Sequence, residues 1–433
     1  MHSNRNKTTH TNSVQTPTLK RLAWLGILFL APSFTFASVN QLPIPASLQQ
    51  TTIRSFHETT KLAETLWADL TTRFVDHYEK GDYQNALSDA QRAYAIANNN
   101  FGLNDVNTAD TLLKLGIINQ TLGNLNEAED YLLGSLVILE DQLSPDHSDV
   151  AVVMTNLGNV YFELQRPEES EKYHLQALQI RKNAFGENDP TVAQSVYNLA
   201  VLYENEQKYE QAADLYRQAI NTWSQTLGPT HPYVGNALNN LANIYSIQGK
   251  HKKAAKVLKR TVAFKKSVFG AQHEEVAQTL ISLGTNYVEL GEYIPASSAY
   301  EEALDIARHV LPSSDPQLAL LMYTLANIYH TQARIEERKD DGQMPFNIDA
   351  MPVKDSAKAT GNSVALKATD QHQKFLFKQA LPLYQKAAEI LDGDTKSEAR
   401  SALDVVLSEL AMLYKEIGDA DMAQATESRI ATH

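Results

Sequence analysis

The chain contains no cysteine, which rules out disulfides and a lipid-modified cysteine anchor. Four signatures of common enzyme chemistry are also missing: the phosphate-binding GxxxxGK[ST], a GxGxxG following a strand, GxSxG and HExxH. No catalytic residue, metal or cofactor is therefore expected. Basic residues are in the minority, 38 Lys and Arg against 51 Asp and Glu, a formal charge of −13. Neutralising a phosphate backbone needs clustered positive charge, so neither nucleic acid nor an anionic membrane surface is the expected partner. The acidity reads as a solvated surface that keeps a long chain soluble. No linker divides the middle of the 433 residues, although a single core stops growing at roughly 250–300.

The longest apolar run is short. Residues 1–37 hold Arg5, Lys7, Lys20 and Arg21 and no acid, leaving 34 basic against 51 acidic residues and a formal −17 for the rest. After Lys20-Arg21 comes LAWLGILFLA, from Leu22 to Ala31, then Pro32 and a small-residue exit at Thr35-Phe36-Ala37. From Leu22 to Ala37 is 16 residues, where a membrane-spanning helix wants about 20. The segment reads as an export signal cleaved after Ala37, placing the protein in the periplasm or outside the cell. The alternative is an uncleaved inner-membrane anchor facing the periplasm, the one circumstance in which membrane association is expected.

What the chain has in abundance is repetition. Leu157, Leu199, Leu241, Leu283 and Leu325 recur every 42 residues. Small residues follow each, at Gly158, Ala200, Ala242, Gly284 and Ala326, and then Tyr161, Tyr203, Tyr245, Tyr287 and Tyr329. A fixed period of this length marks a solenoid of stacked supersecondary units. Within residues 148–189, Val152, Leu157, Gly158 and Tyr161, then Tyr173, Ala177, Leu178 and Ile180, fall at helical spacing, so each unit is two amphipathic helices. A second small series, Ala128, Ser170, Ala212, Ala254 and Ala296, lies on the second helices and lets the paired backbones approach. His147, His231 and His273 share one frame position at the turn between units, where a polar cap is a simpler role than metal binding or acid–base work. Glu168-Glu169 and Glu301-Glu302 read as solvated faces.

The phrases NLGNVYFELQRPEES (156–170), NLAVLYENEQKYEQAADLYRQAI (198–220) and NLANIYSIQGKHKKAA (240–255), with Thr230-His231-Pro232 at a turn, resemble the tetratricopeptide repeat in the 42-residue form of kinesin light chains. The resemblance covers about residues 57–433. It implies an all-α fold, a right-handed α-solenoid of about eight antiparallel helix-turn-helix repeats, in a bacterial exported protein. The expected layout is a signal at 1–37, a linker at 38–56 and the solenoid at 57–433. Inside the solenoid lie a degenerate first repeat (57–105), five regular repeats (106–315), a repeat at 316–391 interrupted by a flexible insertion at 332–372, and a capping repeat at 397–433. In the interrupted repeat the first helix should end near His330 and the second resume at Phe375–Ile390; the insertion reads as a loop, with a decayed repeat as the alternative.

First helices of such a stack line its concave face. The residues beside each buried leucine are then groove residues: Asn156, Asn159, Tyr197, Asn198, Asn239, Asn240, Asn243, Tyr323 and Asn327. Each asparagine amide offers donors and an acceptor, which match the backbone of an extended peptide whatever its sequence. Kinesin light chains use asparagines at this frame position for backbone contacts, so the resemblance implies that role for Asn156, Asn198 and Asn240. The competing reading is that these amides cap or bridge helices. Lys114 is the one basic residue at these positions, so a clamp for a terminal carboxylate is not expected. The leading function is a protein- or peptide-binding scaffold of open oligomeric state. A self-associating envelope component is the alternative, and a catalytic or regulatory role centred on 332–372 is a third.

Overall fold

A computed structural model describes residues 46–340, 363–393 and 397–431, with side chains over 59–335, 371–393 and 398–431. The described residues hold helices and turns and no strand. The first helices are α1 (Ala46–Glu79), α2 (Tyr83–Asn100), α3 (Val106–Thr121) and α4 (Leu125–Gln142). Next come α5 (Ser148–Glu163), α6 (Pro167–Phe185), α7 (Pro190–Asn205) and α8 (Tyr209–Thr226). They are followed by α9 (Pro232–Ile247), α10 (His251–Phe269), α11 (Glu274–Glu289) and α12 (Tyr293–Val310). The last are α13 (Pro316–Asp340), α14 (Ser363–Asp392), α15 (Ser397–Glu416) and α16 (Ala420–Ile430). None of these is long and apolar enough to cross a membrane.

The start of α1, up to residue 60, falls in a separate unit from the rest of the chain. Residues 61–433 form the other, and here every helix from α2 to α16 packs on the next in chain order. This serial packing is a solenoid of helical hairpins. Its apolar interior runs along the stack, as the leucine series shows: Leu157, Leu199, Leu241, Leu283 and Leu325 are all buried. Val152 departs from the expected pattern; it is exposed, and its neighbours Val150 and Val153 are buried instead.

The boundaries of each unit repeat as faithfully as its core. Asp105, His147, Asp189, His231, His273 and Asp315 stand 42 residues apart, and each accepts a hydrogen bond from the backbone amide two residues on, at 2.7–3.3 Å. These are N-caps, satisfying an amide that the first helical turn leaves open. The histidines at this position thus cap through Nδ1. Between the helices of a unit the frame position is left-handed throughout: Gly123, Gln165, Gln207, Gly249 and Gly291 have φ of 81°, 58°, 60°, 67° and 71°.

The small first-helix residues answer to bulk on the second helix. A Cβ added to Gly158 would lie 2.6 Å from the His174 ring, and one added to Gly284 would lie 2.5 Å from Tyr300. The two small series also approach directly, since Ser170 Oγ donates to the Gly158 carbonyl at 2.8 Å. Three of the five tyrosines also tie their unit to the one before it: Tyr161 donates to Glu129 at 2.8 Å, Tyr203 to Glu171 and Tyr329 to Glu301.

The expected boundaries shift at two places. The stretch 38–56, read as a linker, is helical from Ala46, while residues 1–45, including the export segment, lie outside the described residues. The helix expected to end near His330 runs on to Asp340, and the next begins at Ser363 rather than Phe375, so much of the supposed insertion is helical. Residues 341–362 lie outside the described residues. The turn position eight residues after Leu325 is Ala333, fully buried and helical, where other units carry a left-handed glycine or glutamine. With nothing to stop it, the helix continues.

Candidate peptide-binding face

The asparagine and tyrosine series lies on α5, α7, α9 and α13, half-buried except for Asn239 and Asn243, which are exposed. One group brings neighbouring units together. Asn240 Nδ2 on α9 donates to the Tyr197 hydroxyl at 3.2 Å and to the Tyr216 hydroxyl at 3.0 Å. Tyr216 in turn donates to Glu204 at 2.6 Å, and Glu204 accepts from Asn243 at 3.5 Å. The rings of Tyr216, Tyr197, Trp223 and Tyr233 meet in that order at centroid distances of 5.2–5.5 Å. Burial, then the Glu204 carboxylate, pushes the Tyr216 hydroxyl well above the ordinary phenol range, and burial raises that of Tyr197, so both stay protonated.

The remaining members are separate from this group. Asn156 donates to the Val152 carbonyl of its own helix at 2.9 Å, and Asn198 accepts from Gln194 at 2.9 Å. Tyr323 packs against Tyr384, whose hydroxyl donates to Asn327. Asn159 and Asn239 make no hydrogen bond among the described residues. Lys114, the one basic residue at these positions, is held by Asp110 one turn back, at 2.6 Å.

Two polar features had no counterpart in the repeat pattern. At the C-terminal end His330 is buried, and its Nε2 lies 2.6 Å from Glu416, which also receives Arg334 at 3.3 Å. On α10 all seven charged residues are Lys or Arg. A count of charge over the whole chain hides that helix; its local signal, HKKAAKVLKRTVAFKK, was there to read.

Family models described as the tetratricopeptide repeat match residues 75–141, 149–222, 191–267 and 276–317, together just over half of the chain. This is a tetratricopeptide repeat protein. Such repeats generally serve as non-catalytic scaffolds that bind protein or peptide partners. Among curated proteins none matches the chain. Similar solved structures include BtubC (BKLC) from P. vanneervenii, 21% identical over 53% of this repeat protein and 90% of its own length, with a TM-score of 0.44. Another is the putative kinesin light chain repeat protein of Podosopora anserina, 20% identical over 47% and 98% of the two chains, TM-score 0.42. The apo form of the quorum sensor NprR from B. thuringiensis is 15% identical over 89% and 94%, TM-score 0.45. Among the described residues no group of three or more His, Cys, Asp or Glu is placed to hold a metal ion.

Proposed function

We propose that this tetratricopeptide repeat protein is a non-catalytic scaffold that binds an extended segment of a partner protein along the face of its first helices. The observation that carries this reading is the meeting of Tyr197 on α7 with Asn240 on α9, amide beside phenol ring, with Asn198 and Asn239 adjacent to them in sequence on the same two helices. Amides match a peptide backbone without demanding a sequence, and the aromatic rings offer apolar contact to its side chains. Asn240 is already engaged with two tyrosines and Asn243 with Glu204, so these hold the group together while the exposed Asn239 remains open to a ligand. The test is affinity capture from the native host with the wild-type chain and with Asn156→Ala, Asn198→Ala and Asn239→Ala combined. Loss of a partner by a variant that melts as the wild type does is the expected result. Recovery of every partner at unchanged yield rules the reading out.

The basic leader and apolar run of residues 1–37 support export, with cleavage after Ala37, in a bacterial host. Cell fractionation with N-terminal sequencing of the mature chain tests this: an intact N-terminus on a membrane-bound protein selects the anchor instead, and a soluble cytoplasmic chain excludes both.

A further inference from the structure

The outward stripe of the second helices carries a charge pattern that the scaffold reading does not use. Helix α10 holds Lys252, Lys253, Lys256, Lys259, Arg260, Lys265 and Lys266 and no acid, in a chain of net charge −13. Lys265 and Lys266 are paired with Glu275 and Glu302, and Lys253 and Lys259 lie over the rings of Tyr245 and Tyr287. Lys252, Lys256 and Arg260 are exposed and have no carboxylate partner among the described residues. Spaced four residues apart, they form a row of about 12 Å along one helical face.

Helix α4 presents the reverse. It holds Glu127, Glu129, Asp130, Glu140 and Asp141 and no base. Glu129 is occupied by Tyr161 and Arg166, but Glu127, Asp130 and Asp141 are exposed without an ion pair. Glu127 and Asp130 precede Lys253 and Lys256 by three whole periods, so the two helices show opposite charge at the same frame positions. Val137, 66% exposed, sits between Asp130 and Asp141 on the acidic stripe, and Ala263 occupies the corresponding place on α10. The intervening outer helices do not share the pattern: the same positions carry Glu169 and Lys172 on α6, and Gln211 and Asp214 on α8. Within one copy the stripes do not meet, since α4 packs on α3 and α5 and α10 on α9 and α11.

We propose that the basic stripe of α10 on one copy docks on the acidic stripe of α4 on a second copy, joining copies of this chain head to tail. A contact between two different surfaces leaves one of each free at the ends, so growth continues past the dimer unless the rotation closes a ring. Rows of opposite charge steer the encounter and set its register, while Val137 against Ala263 gives a small apolar centre. The contact uses second helices and leaves the first-helix face free, so its failure would leave the scaffold reading standing.

The test is sedimentation velocity on the full chain over a concentration series, at about 0.05 M and about 0.5 M salt, between which the screening length falls severalfold. The wild type should grow beyond the dimer at low salt and fall to monomer at high salt. Two charge-reversal variants follow: Lys252→Glu, Lys256→Glu and Arg260→Glu together, and Glu127→Lys, Asp130→Lys and Asp141→Lys together. Each alone should raise the self-dissociation constant at least about tenfold, while a 1:1 mixture should restore association, because each variant then meets its opposite. Should a triple fail to fold, Lys256→Glu and Asp130→Lys run the same exchange. The proposal is overturned by a wild type that stays monomeric at low salt, by association that survives either reversal, or by folded variants whose mixture does not associate. A monomeric wild type that binds phosphatidylglycerol vesicles or a single-stranded oligonucleotide through α10 would also overturn it.

Discussion

The regular units from α3 to α12 and the closing helices α13 to α16 do the same work with different partners. In the regular part the caps and turns recur at 42 residues, and the ties that form reach only to the neighbouring unit: Tyr161 to Glu129, Tyr203 to Glu171. In the closing part Tyr384 reaches back 57 residues to Asn327 and His330 reaches forward 86 to Glu416. A period makes contacts local and interchangeable. Where it is broken, a contact of the frame must span more chain, as Tyr384 to Asn327 repeats Tyr300 to Thr285, and others such as His330 to Glu416 are new.

The sharpest break of this comparison is Leu241→Ala. Leu241 is 2% exposed, so truncation should cost about 2–5 kcal/mol. If units couple only to their neighbours, hydrogen exchange should quicken in α8 to α11 and leave α15 and α16 protected. Uniform loss of protection would show the stack to be one cooperative block.

His174 tests whether one unit can be moved towards the others. Burial, helped by the nearby Arg181 charge, pushes its imidazole down from the ordinary 6.5 to about 4. The unfolded chain takes up a proton near pH 6.5 that the folded core refuses until about pH 4. Stability is therefore whole above pH 6.5 and falls as the pH drops towards 4, by about 3 kcal/mol at most. The corresponding residues on α4 and α10 are Leu132 and Leu258, so His174→Leu should flatten this acid limb in denaturant titrations. The replacement also removes a buried Nδ1 that has no hydrogen-bond partner. An unchanged acid limb would place the sensitivity in other groups.

In the closing part Glu416→Ala should leave His330 buried without its 2.6 Å partner, at a cost of about 1–3 kcal/mol. Exchange should rise in α15 and α16 while the regular units stay as they were. Asn240→Ala removes the bridge to Tyr197 and Tyr216 and should cost about 1 kcal/mol by melting, more than Asn239→Ala, whose side chain bonds to nothing in the chain. Equal melting of the two would deny the bridge. The smallest effect expected is a gain: Gln165→Gly relieves a left-handed glutamine (φ 58°) where sister units carry glycine. The strain removed, roughly 1–2 kcal/mol, exceeds the roughly 0.5–1 that glycine loses in chain entropy, and the difference should appear as a slightly higher Tm.

Much of the molecule was legible in the leucine, small-residue and tyrosine series, because a buried position repeated in sequence is a buried position repeated in space. The histidine caps were legible for the same reason. The extent of α13 was misjudged because polar, proline- and glycine-containing sequence after His330 resembles a loop, while the determining fact was the alanine at position 333 in place of a turn residue. Among the face residues, periodicity identified Asn156, Asn198 and Asn240 as equivalent, yet their surroundings differ: one bonds its own helix, one accepts from Gln194, and one bridges two tyrosines. The partner positions repeat but their residue types do not, Val152 and Gln194 sharing one frame position, so the frame could not distinguish them.

By itself the sequence determined the repeat length, the pairing of helices and the side of each helix that is buried, since these follow from spacing along one chain. The tertiary structure alone decided which asparagine bridges two units, that the His330 and Glu416 side chains meet across 86 residues, and that Lys252, Lys256 and Arg260 of α10 have no carboxylate partner among the described residues. The physical reason is that hydrogen bonds and ion pairs depend on a few tenths of an ångström between groups distant in sequence, whereas hydrophobic burial is non-directional and follows the pattern of the chain.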